Sequence, residues 1–184
     1  MRIYFTAEEI AAAVERVAAQ INDYYRKTPD DNILVVGVLK GATIFCADLA
    51  RKFDFPLEID FVRVASYGDA RVSSGTVALT KDVETPLEGR RVLIVEDMID
   101  SGRSLKRLRD HFLSRGAAEV CVVVLVDKKT KRAVDVPVEW SALGRKTFSC
   151  SDTGSTTANA DATYPTFGSS IKSFERRSLE RAKK

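Results

Sequence analysis

Three segments of strand length constrain this chain most: ILVVGVL (33–39) is a continuous apolar run, and RRVLIVE (90–96) and VCVVVLVD (120–127) are built on unbroken apolar centres. A strand with one wet face alternates apolar and polar residues. A run without alternation needs cover on both faces, as in a parallel sheet flanked by helices. Helical patterns lie in the right places to supply that cover. Ile10, Val14, Val17, Ile21 and Tyr25 recur at helical spacing behind a capping box at Thr6 and Glu9, which predicts a helix from about 7 to 25. Residues 42–53 (ATIFCADLARKF) and about 103–115 read as two more helices. Residues 57–66 alternate like a strand, TVALTK (76–81) is a short strand, and VPVEW (136–140) is a candidate fourth buried strand. Strands alternating with helices predict an α/β fold with a mostly parallel sheet.

The 184 residues suit one domain, and 45% hydrophobic content is enough for a real core. No apolar run approaches the roughly 20 residues of a membrane span, and the start (MRIYFTAEEI) lacks the apolar centre of a secretory signal. Cys46, Cys121 and Cys150 are odd in number and widely spaced, so they read as reduced thiols in a cytoplasmic protein. A net charge of +3 argues against nucleic acid as a partner. The sole histidine, His111, sits in a helical stretch where a structural role is the ordinary reading, which disfavours histidine-activated nucleophiles.

The most informative stretch is VLIVEDMIDSGRSL (92–105). A buried strand ends in two adjacent carboxylates, Glu96 and Asp97. Asp100 follows, and then a small hydroxyl-bearing turn opens a helix. Backbone N–H groups at a helix start bind phosphate, and Gly102 allows close approach. Ser101 and Ser104 add hydroxyl donors. Three carboxylates would repel a phosphate unless they engage sugar hydroxyls or a cation such as Mg²⁺. A ligand carrying both ribose and phosphate meets those needs; an acidic strand end that merely caps a helix is the blander alternative.

This pattern resembles the ribose-phosphate signature of the type I phosphoribosyltransferases. The resemblance implies that Glu96 and Asp97 face the ribose hydroxyls and a metal. It makes Asp100 the catalytic acid near the purine N7, with Ser101, Gly102, Arg103, Ser104 and Leu105 around the 5-phosphate. Leu39, Lys40 and Gly41 are similar to the pyrophosphate loop of the hypoxanthine-guanine members, in which the Leu-Lys peptide can be cis. Ser66, Tyr67 and Gly68 match the start of that family's mobile loop, within a polar segment (67–75). Leu125, Val126, Asp127 and Lys128 resemble its Leu-Leu-Asp-Lys, where the lysine donates to the purine O6. An ammonium has donors only, so it favours a 6-oxo base over adenine. Standing alone, Lys40 and Lys128 read as surface lysines, and Ser-Tyr-Gly fits any turn.

The resemblance runs in register from about residue 3 to 140. It implies purine salvage from 5-phosphoribosyl-1-pyrophosphate and hypoxanthine or guanine, with Mg²⁺ as cofactor, in a homodimer or homotetramer. A nucleotide-sensing regulator on the same fold and an inactive remnant are the alternatives.

From Ser141 to Ser170 the style changes to a Ser/Thr/Ala/Gly-rich segment without periodicity, which composition reads as loop or disorder. The family instead continues with a hood. Residues 150–157 can be encoded as TGT TCG GAT ACG GGC TCG ACT AC-, which one frame over reads Phe-Gly-Tyr-Gly-Leu-Asp-Tyr. Residues 161–167 hide Arg-His-Leu-Pro-Tyr-Ile at the same offset. Both are family motifs at the family's distance from Trp140. A frameshift at or just after Trp140 is therefore expected, giving a 1–140 core and an aberrant, poorly ordered 141–184 segment. The hood's stacking residue, metal-binding Asp and pyrophosphate-contacting Arg are then replaced by Cys150 or Ser151, Thr156, and Ala160 or Ala162.

Overall fold

The computed structural model describes residues 5–27, 32–66, 77–128 and 132–143. Residues 13–147 form one compact unit, while 1–12 and 148–184 fall in a second. Of the second unit, residues 5–12 are described. They hold the expected capping box: the Thr6 amide donates to Glu9 Oε2 at 2.8 Å, and the Glu9 amide donates to Thr6 Oγ1 at 3.1 Å. These bonds satisfy orphan donors at the start of α1 (Ala7–Arg26).

After α1 come β1 (Ile33–Leu39), α2 (Thr43–Ala50), β2 (Glu58–Ser66), β3 (Val77–Lys81) and β4 (Arg91–Ile99). Then follow α3 (Arg103–Ser114), β5 (Glu119–Asp127) and β6 (Trp140–Leu143). The six strands form one sheet in the order β3-β2-β1-β4-β5-β6, parallel throughout except for the antiparallel β2–β3 pair. The apolar runs are central: β1 and β5 bury nearly every side chain and β4 buries Val92–Val95 and Ile99, with Leu34, Val36, Val92, Ile94, Val122 and Val124 fully enclosed. Each such side chain stabilises the fold by about 1.5–3 kcal/mol. Leu105, Leu108 and Phe112 on α3 join that cluster, as helical spacing requires.

Four expectations change. Residues 136–139 are not strand: Pro137 has no N–H to give a ladder, and pairing with β5 begins at Trp140 opposite Val123. Ser141–Leu143, expected to be loop, belong to β6, with Ala142 and Leu143 buried. Tertiary packing there overrides composition. β4 continues past Glu96 to Ile99 because Met98 and Ile99 still pair with Val126 and Asp127, so Glu96 and Asp97 lie within the strand. α2 is shorter than 42–53: the Arg51 and Lys52 amides close its last turn on Ala47 and Leu49.

Candidate active site

The strand order places a switch in chain direction at the centre of the sheet. From β1 the chain crosses by α2 to β2 on one side; from β4 it crosses by α3 to β5 on the other. Where neighbouring parallel strands send their connections opposite ways, a crevice opens beyond their carboxyl ends, and open α/β sheets bind ligands there. Leu39-Lys40-Gly41 leaves the end of β1, and Glu96, Asp97 and Asp100 lie at the end of β4. Two segments about 55 residues apart in sequence therefore flank one crevice.

They touch. A Cβ added at Gly41 would stand 1.9 Å from Asp97 Oδ2 and 2.6 Å from its Cγ. The bare backbone of the first turn thus lies against the carboxylate of the second. The Leu39–Lys40 peptide is cis. The Lys40 carbonyl accepts from Thr43 Oγ1 at 2.8 Å and the Thr43 amide at 3.3 Å, tying the turn to the start of α2. Lys40 itself is exposed.

Burial first, and the neighbouring Asp97 second, push the Glu96 carboxyl well above the usual carboxylate range. The Asp97 amide donates to Glu96 Oε1 at 3.1 Å. Two adjacent carboxyl groups at a strand end suit the paired hydroxyls of a diol.

The turn after β4 has the geometry its residues promise. Gly102 sits at φ +79° as the residue before α3, a conformation that favours glycine. A Cβ there would also meet Val136 Cγ1 at 3.1 Å. No side chain caps α3, and its first turn carries no acidic residue, so the helix start is electrostatically suited to an anion. Ser101, Arg103 and Ser104 surround it, and Ser101 Oγ lies 3.5 Å from the Arg103 amide. Leu105 is buried in the core, which leaves its backbone as the group able to face a ligand.

Lys128 joins the same end of the sheet. Its amide donates to the Ile99 carbonyl at 3.2 Å, and its Nζ lies 3.1 Å from Asp100 Oδ1. Ser66 ends β2; Tyr67 and Gly68 lie outside the described residues, as does Cys150.

Comparison with known proteins agrees with this architecture. A family model described as "Phosphoribosyl transferase domain" matches residues 3–148. The hypoxanthine-guanine phosphoribosyltransferase of Streptococcus thermophilus is 43% identical over 140 residues, covering 76% of each chain. The chain belongs to the hypoxanthine-guanine phosphoribosyltransferase family. The hypoxanthine phosphoribosyltransferase of Haemophilus influenzae is 38% identical over 138 residues, 75% of this chain and 77% of its own. Among solved structures, a mutant hypoxanthine phosphoribosyltransferase from Trypanosoma cruzi, in a ternary complex with substrates, superposes with a TM-score of 0.70 at 35% identity. That match covers 76% of this chain and 79% of the other. The mostly parallel α/β sheet expected from the alternation of strands and helices is observed, and the fold is the phosphoribosyltransferase fold that the motif resemblance implied.

Three features of this phosphoribosyltransferase were not read from its sequence. One is the Gly41–Asp97 contact, which spacing alone cannot reveal. Another is the half-buried place of Glu96, hidden because an acid next to an acid reads as exposed. The third is Arg132, inconspicuous in the run KKTKR, whose guanidinium bonds Asp127 at 3.1 Å. His111 ties α3 to the segment after β3: its Nε2 lies 2.8 Å from Asp82 Oδ2, which also accepts from Arg115. Beside it Val64, Leu79, Ser104, Arg107 and Leu108 line a groove of about 180 Å³, too small for a nucleotide. Among the described residues no group of three metal-ligating side chains occurs, and no helix is long and apolar enough to cross a membrane.

Proposed function

We propose that this chain salvages purines. It transfers the 5-phosphoribosyl group from 5-phosphoribosyl-1-pyrophosphate to hypoxanthine or guanine, giving IMP or GMP and pyrophosphate. The observation that carries this reading is the meeting of Gly41 and Asp97 at the switch point, in a chain of this family. Leu39, Lys40 and Gly41 receive the pyrophosphate, largely through backbone amides. Glu96 and Asp97 take the ribose hydroxyls, and the start of α3 (Ser101, Gly102, Arg103, Ser104 and the Leu105 amide) holds the 5-phosphate.

During exchange a purine ring nitrogen bonds to C1 as the C1–pyrophosphate bond breaks. Asp100 accepts or stabilises the N7 proton, and Lys128 donates to O6. In support of this pairing, Lys128 Nζ lies 3.1 Å from Asp100 Oδ1. Ser66, Tyr67 and Gly68 begin a loop that closes over the site and excludes water from the cation-like sugar.

Glu96 and Asp97 would hold Mg²⁺ together with the substrate, where it would supply charge neutralisation for the leaving pyrophosphate. Mg²⁺ typically takes one or two protein carboxylates plus substrate phosphates and water, so the pair Glu96 and Asp97 suffices without a third ligand. The enzyme acts in the cytoplasm as a homodimer or homotetramer. The segment after Trp140 is read in a displaced frame; β6 is compatible with either frame, because Ser141–Leu143 can also be encoded as Val-Gly-Phe.

The test expresses the written chain and one restored to the other frame after Trp140. Both are assayed for guanine conversion with Mg²⁺ and the pyrophosphorylated sugar, and both are digested briefly with protease. The restored form should convert guanine readily, and the written form far more slowly with a labile tail. Equal activity and equal resistance would refute the frame reading. No conversion by either would refute the function.

A further inference from the structure

Arg132 spans two pieces of backbone that the proposed reaction needs held together. Its NH2 lies 3.1 Å from Asp127 Oδ1, and its NH1 donates to the Val136 carbonyl at 3.0 Å. The pair is well enclosed, with side-chain exposures of 19% for Arg132 and 6% for Asp127. Around it two segments are laced together. The Lys128 amide reaches the Ile99 carbonyl, and the Ala133 and Val134 amides both reach the Ser101 carbonyl at 3.0 and 3.2 Å. Val136 packs over Gly102, as the 3.1 Å approach of its Cγ1 to a Cβ built there indicates. Residues 132–136 thus lie on the turn that opens α3. Arg132 ties this stretch to Asp127, one residue before Lys128.

We propose that Arg132 is a positioning residue for base selection: through Asp127 it fixes the backbone from which Lys128 projects, and so aims the ammonium at the 6-position of the purine. This rests on the reading of Lys128 as the O6 donor. The physical case is that Asp127 is nearly inaccessible to water and needs a partner. A guanidinium is planar and offers donors in fixed directions, so it can serve a carboxylate and a carbonyl at once. Lysine, with one nitrogen, serves one of them well. Losing Arg132 leaves a buried carboxylate without its cation, and the cheapest relief is for Asp127 to turn toward water. Without the clasp the end of β5 keeps only its backbone bonds, and the direction of the Lys128 side chain beside Asp127 is less fixed. The Ser101 bonds are backbone to backbone and survive, so the phosphate turn keeps its shape.

A merely structural arginine would weaken every ligand alike. A positioning arginine lowers the preference for a 6-oxo over a 6-amino purine. The experiment measures binding of IMP and of AMP to the full chain by calorimetry and compares the ratio of affinities. Lys128→Ala should lower the IMP/AMP ratio by about tenfold or more, as expected for loss of a charged hydrogen bond. Arg132→Met should lower it by about the same factor, and the double variant should fall no further, because both changes remove one interaction. Arg132→Lys should lose roughly threefold.

If Lys128→Ala lowers the ratio and Arg132→Met leaves it unchanged, the positioning role is wrong and the Lys128 assignment stands. A double variant showing the product of the two single effects also overturns it. If Lys128→Ala leaves the ratio unchanged, the base-selector reading fails and this inference with it. Should Arg132→Met not fold, Arg132→Lys decides alone: a lowered ratio supports the role, and an unchanged one overturns it.

Discussion

Gly41→Ala is the smallest change that strikes both halves of the site at once. The added Cβ would sit 1.9 Å from Asp97 Oδ2, whereas real Cβ atoms essentially never approach a neighbour within 3.0 Å. A shift of at least about 1 Å is therefore forced on the pyrophosphate turn, on Asp97, or on both. Gly41 is not in the left-handed region, so alanine suits the backbone, and the lost chain entropy of glycine even favours the variant by about 0.4–1 kcal/mol. The damage should thus fall on binding rather than on folding. Overpacking of this kind costs about 1–3 kcal/mol, and taking about 2 gives a roughly 30-fold weaker Kd for the pyrophosphorylated sugar with Mg²⁺. IMP, which carries no pyrophosphate, should suffer less. Calorimetric titration with both ligands reads the difference, and a thermal melt reports folding. A Kd for the sugar within twofold of the parent, in a folded variant, would refute the claim that Gly41 and Asp97 form one wall of the site.

Lys128→Ala should raise KM for the purine more than KM for the pyrophosphorylated sugar, by an amount equivalent to about 1.5–3 kcal/mol; steady-state kinetics showing the reverse pattern would remove it from the base. Asp100→Asn should lower kcat by about 10²–10⁴-fold with little change in ribose 5-phosphate binding, and an unchanged kcat where chemistry limits turnover would contradict its role. Asp60 tests the fold. Burial raises its pKa, but the Thr85, Phe61 and Glu84 amides and Lys81 outweigh that and leave it below the usual value. A depressed carboxylate contributes stability above its unfolded pKa and loses it as pH falls through the folded one. Asp60→Asn should therefore destabilise by about 1–3 kcal/mol at pH 7, the difference shrinking below about pH 4 in urea melts; a gap that widens in acid would show the sign is wrong.

The central sheet was legible because ILVVGVL, VLIVE and VCVVVLVD have no polar face to leave wet. The order of strands was not, since apolar runs say that strands are buried and not which neighbour each takes. Site segments were legible where a local pattern carries its own chemistry. The carboxylates of β4 run straight into the Ser-Gly turn, and Leu-Lys-Gly follows a strand. Boundaries failed where tertiary partners decide. Val136–Glu139 has strand-like residues, yet Glu139 spends its side chain on the Val122 amide at 2.7 Å while its own amide donates to the Val122 carbonyl. Ser141–Leu143 looks like linker, yet Val124 and Val126 draw it into the sheet. Arg132 could not be told from the lysines beside it, because a run of cations does not say which one turns inward.

The bare start of α3 carries a thermodynamic consequence. A side-chain cap at such a position is typically worth about 1 kcal/mol, and here Gly102 supplies none. On the proposed function the substrate's phosphate is the cap. The empty protein then holds its first helical turn by Leu105 alone among that turn's buried side chains. Amides at 103–106 should exchange with solvent well before those at 108–112 and become protected when ribose 5-phosphate arrives. Part of the ligand's intrinsic affinity is thereby diverted into finishing a helix, which couples occupancy of the phosphate turn to the rigidity of everything α3 touches.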